Sequence, residues 1–267
     1  MSPARVLLAA LVVGCTGSSA AAHDTWLQPR RTAVLPGTIA QIDLTSSDKF
    51  AVFDTAIKPD RIEAARARLN GKTFDIRPGE PEKKSLELRV ALSDPGLATL
   101  WLSLAPQSIE MNRKQVQHYL DEIDAPPLLT QAWYAGKKGA KPWREIYSKH
   151  AKTFVRVGRP KADSSWSQPV GLAPESIPDK DPTTLRAGDE FPVRVFKNGT
   201  PLIDFSLGIM REGGTNRVFK KTDAAGRAVF KVARAGKWLL RGTELRSSNR
   251  PGTDWESDFT TLWFEVK

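Results

Sequence analysis

Residues 190–242, EFPVRVFKNGTPLIDFSLGIMREGGTNRVFKKTDAAGRAVFKVARAGKWLLRG, decide the fold. Short runs rich in β-branched and aromatic residues (EFPVRVFK, LIDFSLGIM, RVFKKT, RAVFKVA and KWLLRG) are separated by turn signals at Asn198-Gly199, Asp223-Ala224-Ala225-Gly226 and Ala235-Gly236. Strands of this length between tight turns predict antiparallel hairpins. With the closing FTTLWFEVK, about six such strands make a small β-sandwich over residues 183–267. Gly226 and Gly236 suit positive φ in these turns, and Trp238 and Trp263 are sized for a core. This half carries no histidine, so histidine chemistry has to come from the residues before it.

Working back toward the N-terminus, RPKADSSWSQPVGLAPESIPDKDP is rich in Pro, Ser, Asp and Lys and predicts a linker over 159–182. Residues 23–158 form the other expected domain. TIAQIDL (38–44), SLELRV (85–90), LATLWLSLA (97–105) and TFVRVG (153–158) read as half-buried strands. KPDRIEAARARLNG (58–71) has weak helical character. SIEMNRKQVQHYLDEID (108–124) puts Ile109, Val116, Leu120 and Ile123 on one helical face, with Ser108 as N-cap and Glu110 in the first turn. KPWREIYSKHAK places Pro142 at a helix start and Trp143, Ile146, Tyr147 and His150 at helical spacing, which predicts a second helix near 142–151. The expected class is mainly β: two β-sandwich domains, the first with one or two inserted helices.

Ahead of these domains, residues 1–22 read as a signal peptide. Arg5 precedes an apolar run from Val6 to Val13, and small residues end in Ala20-Ala21-Ala22, the small-x-small pattern of a cleavage site. The apolar run is too short to span a bilayer. Cleavage after Ala22 leaves His23 at the new N-terminus and the protein in the periplasm. An alternative is lipoprotein processing at Val12-Val13-Gly14-Cys15, which would acylate Cys15 and keep His23 internal.

Cys15 is the only cysteine, so the mature chain has no disulfide framework and no thiolate metal site. The 40 Lys and Arg against 30 Asp and Glu give a formal net charge of +10. An exported basic protein does not meet chromosomal DNA, which excludes a nucleic-acid partner and leaves anionic envelope surfaces.

The histidines are three: His23, His118 and His150. An N-terminal His23 offers an α-amine and an imidazole on one residue, with ordinary pKa values of about 7.7–8.0 and about 6.5, so both can bind a divalent ion near neutral pH. One more imidazole completes a three-nitrogen site suited to Cu(II) or Ni(II). His150 is the first candidate for it, and Asp24 is placed to orient a ligand as an outer carboxylate. His118 lies off the apolar stripe of its helix and reads as solvated.

The start HDTWLQP, the segment REIYSKHAKTFVRVG (144–158), and KTDAAGRAVFKVARAGKWLLR (221–241) followed by DWESDFTTLWFEV (254–266) together resemble the bacterial periplasmic family of nickel-uptake accessory proteins. The resemblance covers essentially the whole mature chain. It implies two β-rich domains, a His-Asp start carried here by His23 and Asp24, and association with nickel or cobalt import beside an envelope metal transporter. Members often carry a histidine after the GKWLLR strand, where this chain has GTELRSSNRPG with Glu244, a harder ligand. The C-terminal pattern is also similar to prealbumin-like and carboxypeptidase-regulatory modules of immunoglobulin-like build.

No Gly-x-Ser-x-Gly elbow, phosphate-binding Gly loop, His-Glu-x-x-His or mature cysteine nucleophile is present. The carboxylate pairs Asp121/Glu122 and Asp189/Glu190 fall at a helix end and a turn. An N-terminal His serves oxidative copper chemistry in the lytic polysaccharide monooxygenases, but nothing beyond His23 supports that here. The expectation is a non-enzymatic transition-metal protein, nickel or cobalt with copper as a further fit, that assists an envelope metal transporter. The alternative is a polysaccharide- or protein-binding module using Trp166 and Trp255.

Overall fold

The computed structural model describes residues 23–135, 142–159, 163–214 and 217–267. The expected leader, with Arg5 and Cys15, lies outside the described residues. The first half runs β1 (Asp24–Pro29), β2 (Ala33–Val34), β3 (Thr38–Ser47), β4 (Thr55–Ala56), β5 (Ile62–Leu69), β6 (Lys72–Asp75), β7 (Arg77–Pro81), β8 (Leu86–Leu92) and β9 (Gly96–Met111). Helices α1 (Arg113–Glu122) and α2 (Pro127–Ala135) follow, then the long strand β10 (Trp143–Val157). The remainder comprises β11 (Glu175–Pro178), β12 (Glu190–Lys197), β13 (Thr200–Pro201), β14 (Ser206–Arg211), β15 (Val218–Lys221), β16 (Arg227–Lys231), β17 (Gly236–Ser247) and β18 (Trp255–Val266).

These strands form three sheets. The central one has the order β15-β14-β17-β18-β10-β9-β5-β6, with β2 also paired to β10. Beside it lie a sheet of β1-β3-β8-β7 with β4, and a sheet of β11-β12-β13 with β16. The molecule is mainly β, as expected, and both sandwiches exist, but they share the central sheet.

Alternation along β10 shows how. Ala151, Val155 and Val157 pack with Leu27, Ile42, Leu44, Leu86 and Leu88 of the first sheet, whereas Phe154 joins Phe191, Val193, Phe230 and Leu262. Successive strand residues point to opposite faces, so the two smaller sheets cover opposite faces of one common layer. The separate domains 23–158 and 183–267 are corrected accordingly: β10 pairs in parallel with β18, from Glu145↔Trp255 to Lys152↔Leu262.

The linker over 159–182 is corrected too, because its described part is packed. Lys152 Nζ donates to Glu175 Oε1, and this pair is buried at 2% and 1% side-chain exposure. The Glu175 carboxylate also accepts from the backbone N–H groups of Val170, Gly171 and Leu172.

Among the described residues two α-helices are present, but only one stands where the periodicity predicts. Asn112, rather than Ser108, caps α1: Gln115 N donates to Asn112 Oδ1 at 3.0 Å and Asn112 N to Gln115 Oε1 at 2.9 Å. Residues 108–111 are the end of β9. The helix expected near 142–151 is a strand, and the second helix is α2. Trp143, Glu145, Tyr147 and Lys149 alternate as buried residues in β10. Charged residues on that inward face hide the period of two. The weakly helical 58–71 is likewise β5 turning into β6, with Asn70 and Gly71 at φ of 50° and 75°, the pair of positive values a tight hairpin turn demands.

Candidate functional site at the His-Asp start

His23 enters β1, which is the edge of the first sheet and runs antiparallel to β3 from Asp24↔Ser47 onward. Lys149 Nζ donates to the His23 carbonyl at 2.6 Å. Asp24 is 6% exposed, and its Oδ1 lies 3.0 Å from Arg241 Nε. Thr261 Oγ1 donates to the Thr25 carbonyl at 2.6 Å, and Ser46 Oγ to the Asp24 carbonyl at 3.1 Å. The first residues of the described chain are therefore held on three sides.

Arg241 sits on β17 opposite Thr261 of β18. Its neighbours two residues along these strands, Leu239 and Trp263, pack with Trp26 and Phe50. On the other side Phe259 packs with Trp143, Tyr147, Tyr119 and Val116. A charged band thus lies between two aromatic clusters. Its far edge is Glu122 at the end of α1, which accepts from Arg217 Nη2 at 2.6 Å and lies 3.5 Å from Arg241 Nη1.

Burial lowers the Lys149 ammonium to a pKa of about 8, with the Asp24 carboxylate opposing the shift and Arg61 and Arg241 adding to it. Arg241 is 2% exposed, and its Nη1 and Nη2 make no hydrogen bond among the described residues.

His150 does not join this band. Lys149 reaches His23, so the next side chain points to the other face of β10. There His150 Nδ1 lies 3.0 Å from Ser103 Oγ, and the ring bonds the Ala173 backbone. Burial pushes its pKa down. The expected set of His23, Asp24 and His150 is therefore not brought together: Asp24 is engaged by Arg241, and the His150 ring lies across the central sheet from the His23 carbonyl that Lys149 binds. Glu244 is also on that opposite face, since Arg241 alternates with it. It accepts from Lys197 and Arg246, which also hold Asp258 and Glu256. His118 is 80% exposed on α1, 3.9 Å from Glu122. Among the described residues no three His, Cys, Asp or Glu side chains are grouped to hold a metal ion.

Both tryptophans of the alternative reading are packed. Trp255 stacks on the buried Trp143 with centroids 4.5 Å apart and planes at 7°, and Trp166 lies against the core that includes Phe191 and Leu262. No helix among the described residues is long and apolar enough to cross a membrane.

Lys149 and Arg241 escaped the sequence reading, and Glu122 entered it only as half of a carboxylate pair at a helix end, whereas it is buried at 4% exposure. The available signal was a lysine and an arginine at inward positions of two strongly apolar strands, which is rare unless the charge is paired.

No curated protein matches the chain. Among solved structures it is similar to the Yersinia pseudotuberculosis adhesin InvE, at 10% identity over 92% of this chain and 59% of that one, with a TM-score of 0.23. It is also similar to native alpha-2-macroglobulin from Escherichia coli, at 11% identity over 90% and 95%, with a TM-score of 0.23. Superposition this loose carries nothing about activity. The match to a family model spans residues 20–243 of this chain, His23, Asp24, β10 and Arg241 among them, and the chain belongs to that family, described as Domain of unknown function (DUF4198).

Proposed function

We propose that the protein is an exported, non-catalytic periplasmic protein that takes a divalent transition metal at His23 and passes it to an envelope transporter component. One observation carries this reading: the residue expected to become the N-terminus is anchored, whereas chain ends ordinarily fray. Lys149 binds its carbonyl and the buried Arg241 binds the next side chain. Such anchoring presents the α-amine and imidazole of His23 from a fixed backbone, which lowers the ordering cost of chelation.

A chelate from one residue leaves coordination positions open. That suits an ion that is handed on, because the acceptor can add ligands before the donor lets go. Nickel and cobalt follow from the family resemblance, and the same nitrogens serve copper. The second reading, an envelope polysaccharide- or protein-binding module, gains from the separation of His23 and His150 but loses Trp166 and Trp255 as a flat aromatic platform.

The test is intact-mass and N-terminal analysis of the exported protein, then calorimetric titration with nickel and copper against a variant carrying one alanine before His23. We expect a chain that starts at His23 and affinity weakened by about tenfold or more in the extended variant, as loss of a ligand or its support commonly does. A chain that starts at an acylated Cys15, or equal binding by both proteins, overturns the reading.

A further inference from the structure

The layers that β1, β17 and β18 build between them continue past the aromatic cluster. Asp24, Arg241 and Thr261 stand in one layer, and two residues along each strand are Trp26, Leu239 and Trp263 of the cluster. Two residues further again come Gln28, Lys237 and Glu265, which strand alternation puts on the same face. There the close packing ends. These three side chains, with Trp263, Arg31 and Phe53, line a cleft of about 380 Å³ that opens to solvent, a size that takes a small molecule.

The charges around the cleft are unevenly paired. Arg30 is held by Asp43 through Nε at 3.0 Å and Nη2 at 2.9 Å, and Asp43 also accepts from Ser85. Lys237 and Glu265 stand directly opposite each other in the β17–β18 register, where unlike charges attract. Glu265 instead accepts from Thr32 Oγ1 through Oε2 at 2.9 Å, and its Oε1 accepts no hydrogen bond among the described residues. Neither Lys237 nor Arg31 forms an ion pair among the described residues. In the same lining, Trp263 Nε1 and Gln28 Oε1 are buried without a hydrogen-bond partner among the described residues.

The cleft therefore has spare groups of both signs: two cations, and a carboxylate oxygen with an amide oxygen near it. A simple anion would meet the cations but lie against Glu265, and like charges repel. A zwitterion satisfies both. We propose that this cleft binds a free α-amino acid, with its carboxylate at Lys237 and Arg31, its ammonium at Glu265 and Gln28, and an apolar side chain against the half-buried Phe53. The site lies two layers along β1 from Asp24 and uses neither His23 nor the buried charged band, so it stands or falls separately from the metal reading.

L-Leucine serves as the probe. The exported protein is titrated calorimetrically with leucine, with isocaproate, which lacks the ammonium, and with isoamylamine, which lacks the carboxylate. We expect leucine to bind and each analogue to bind about tenfold or more weakly, because each forfeits hydrogen bonds to a charged group. Lys237→Gln should weaken leucine by a similar factor and leave isoamylamine unchanged. Glu265→Gln, which keeps an acceptor for Thr32, should weaken leucine and leave isocaproate no weaker. The analogue series needs only wild type, so it decides even where a variant fails to fold. No binding of leucine, isocaproate binding as tightly as leucine, or leucine affinity that survives both substitutions overturns the inference.

Discussion

His150 shows how one side chain acquires a role from the face it points to. Its ring is held by Ser103 and the Ala173 backbone, with Asp258, Glu63 and Glu175 as the carboxylates that oppose its desolvation. Burial dominates, so the folded pKa lies below the ordinary 6.5. The sign follows directly. Acidification below about 6.5 protonates this histidine in the unfolded chain before the folded one, so the stability it contributes at neutral pH is lost as pH falls through the folded value. Urea unfolding of wild type and His150→Gln at pH 7.5 and 5.0 tests it. Wild type should lose more stability than the variant between the two pH values; equal losses would show that His150 does not govern this window.

Among the elements, β10 does most to organise the molecule, because each of its faces is covered by a different sheet, one edge pairs with β9, and the other pairs with β18 of the second half and then with β2. Lys152 shows what the crowding demands. It lies on the face covered by β11, and burial lowers its pKa against the pull of Glu175. The two charges are tolerable only as a pair whose remaining hydrogen-bonding capacity is used by the Ser176 carbonyl and by the N–H groups of residues 170–172. Removing one partner strands the other. Lys152→Met should lose about 3–5 kcal/mol in chemical denaturation, and the double variant Lys152→Met/Glu175→Gln should lose less than the sum of its singles. An additive pair of losses would mean that the interaction across β10 and β11 contributes nothing.

For the whole molecule, the shared sheet couples the two halves. The parallel pairing of β10 with β18 spans eight residue pairs, and Leu97 and Phe154 of the first half belong to the second core. Dividing the chain would bare a central strand edge and open that core. Thermal unfolding followed by far- and near-ultraviolet circular dichroism should therefore give one coincident transition. The isolated fragment 183–267 should show no native near-ultraviolet signal. Two separated transitions, or a folded fragment, would restore the picture of independent domains.

Much of this was legible locally. The hairpin at Asn198-Gly199 follows from a dipeptide that accepts positive φ, and α1 follows from an amphipathic run, though its cap is Asn112 rather than Ser108 and the Asn70-Gly71 hairpin reads from sequence as a helix end. The β class, the two sandwiches and the candidate His-Asp start were all read from short stretches, because turn geometry and side-chain period are properties of neighbouring residues. Only the tertiary structure decided that Trp143–Val157 is a strand, that one sheet serves both sandwiches, and that His150 and Glu244 lie across that sheet from His23. It also decided that Lys149 and Arg241 meet Asp24. The physical reason is common to all four: a strand covered on both faces loses the alternation that marks it, and which face a residue serves is set by partners far along the chain.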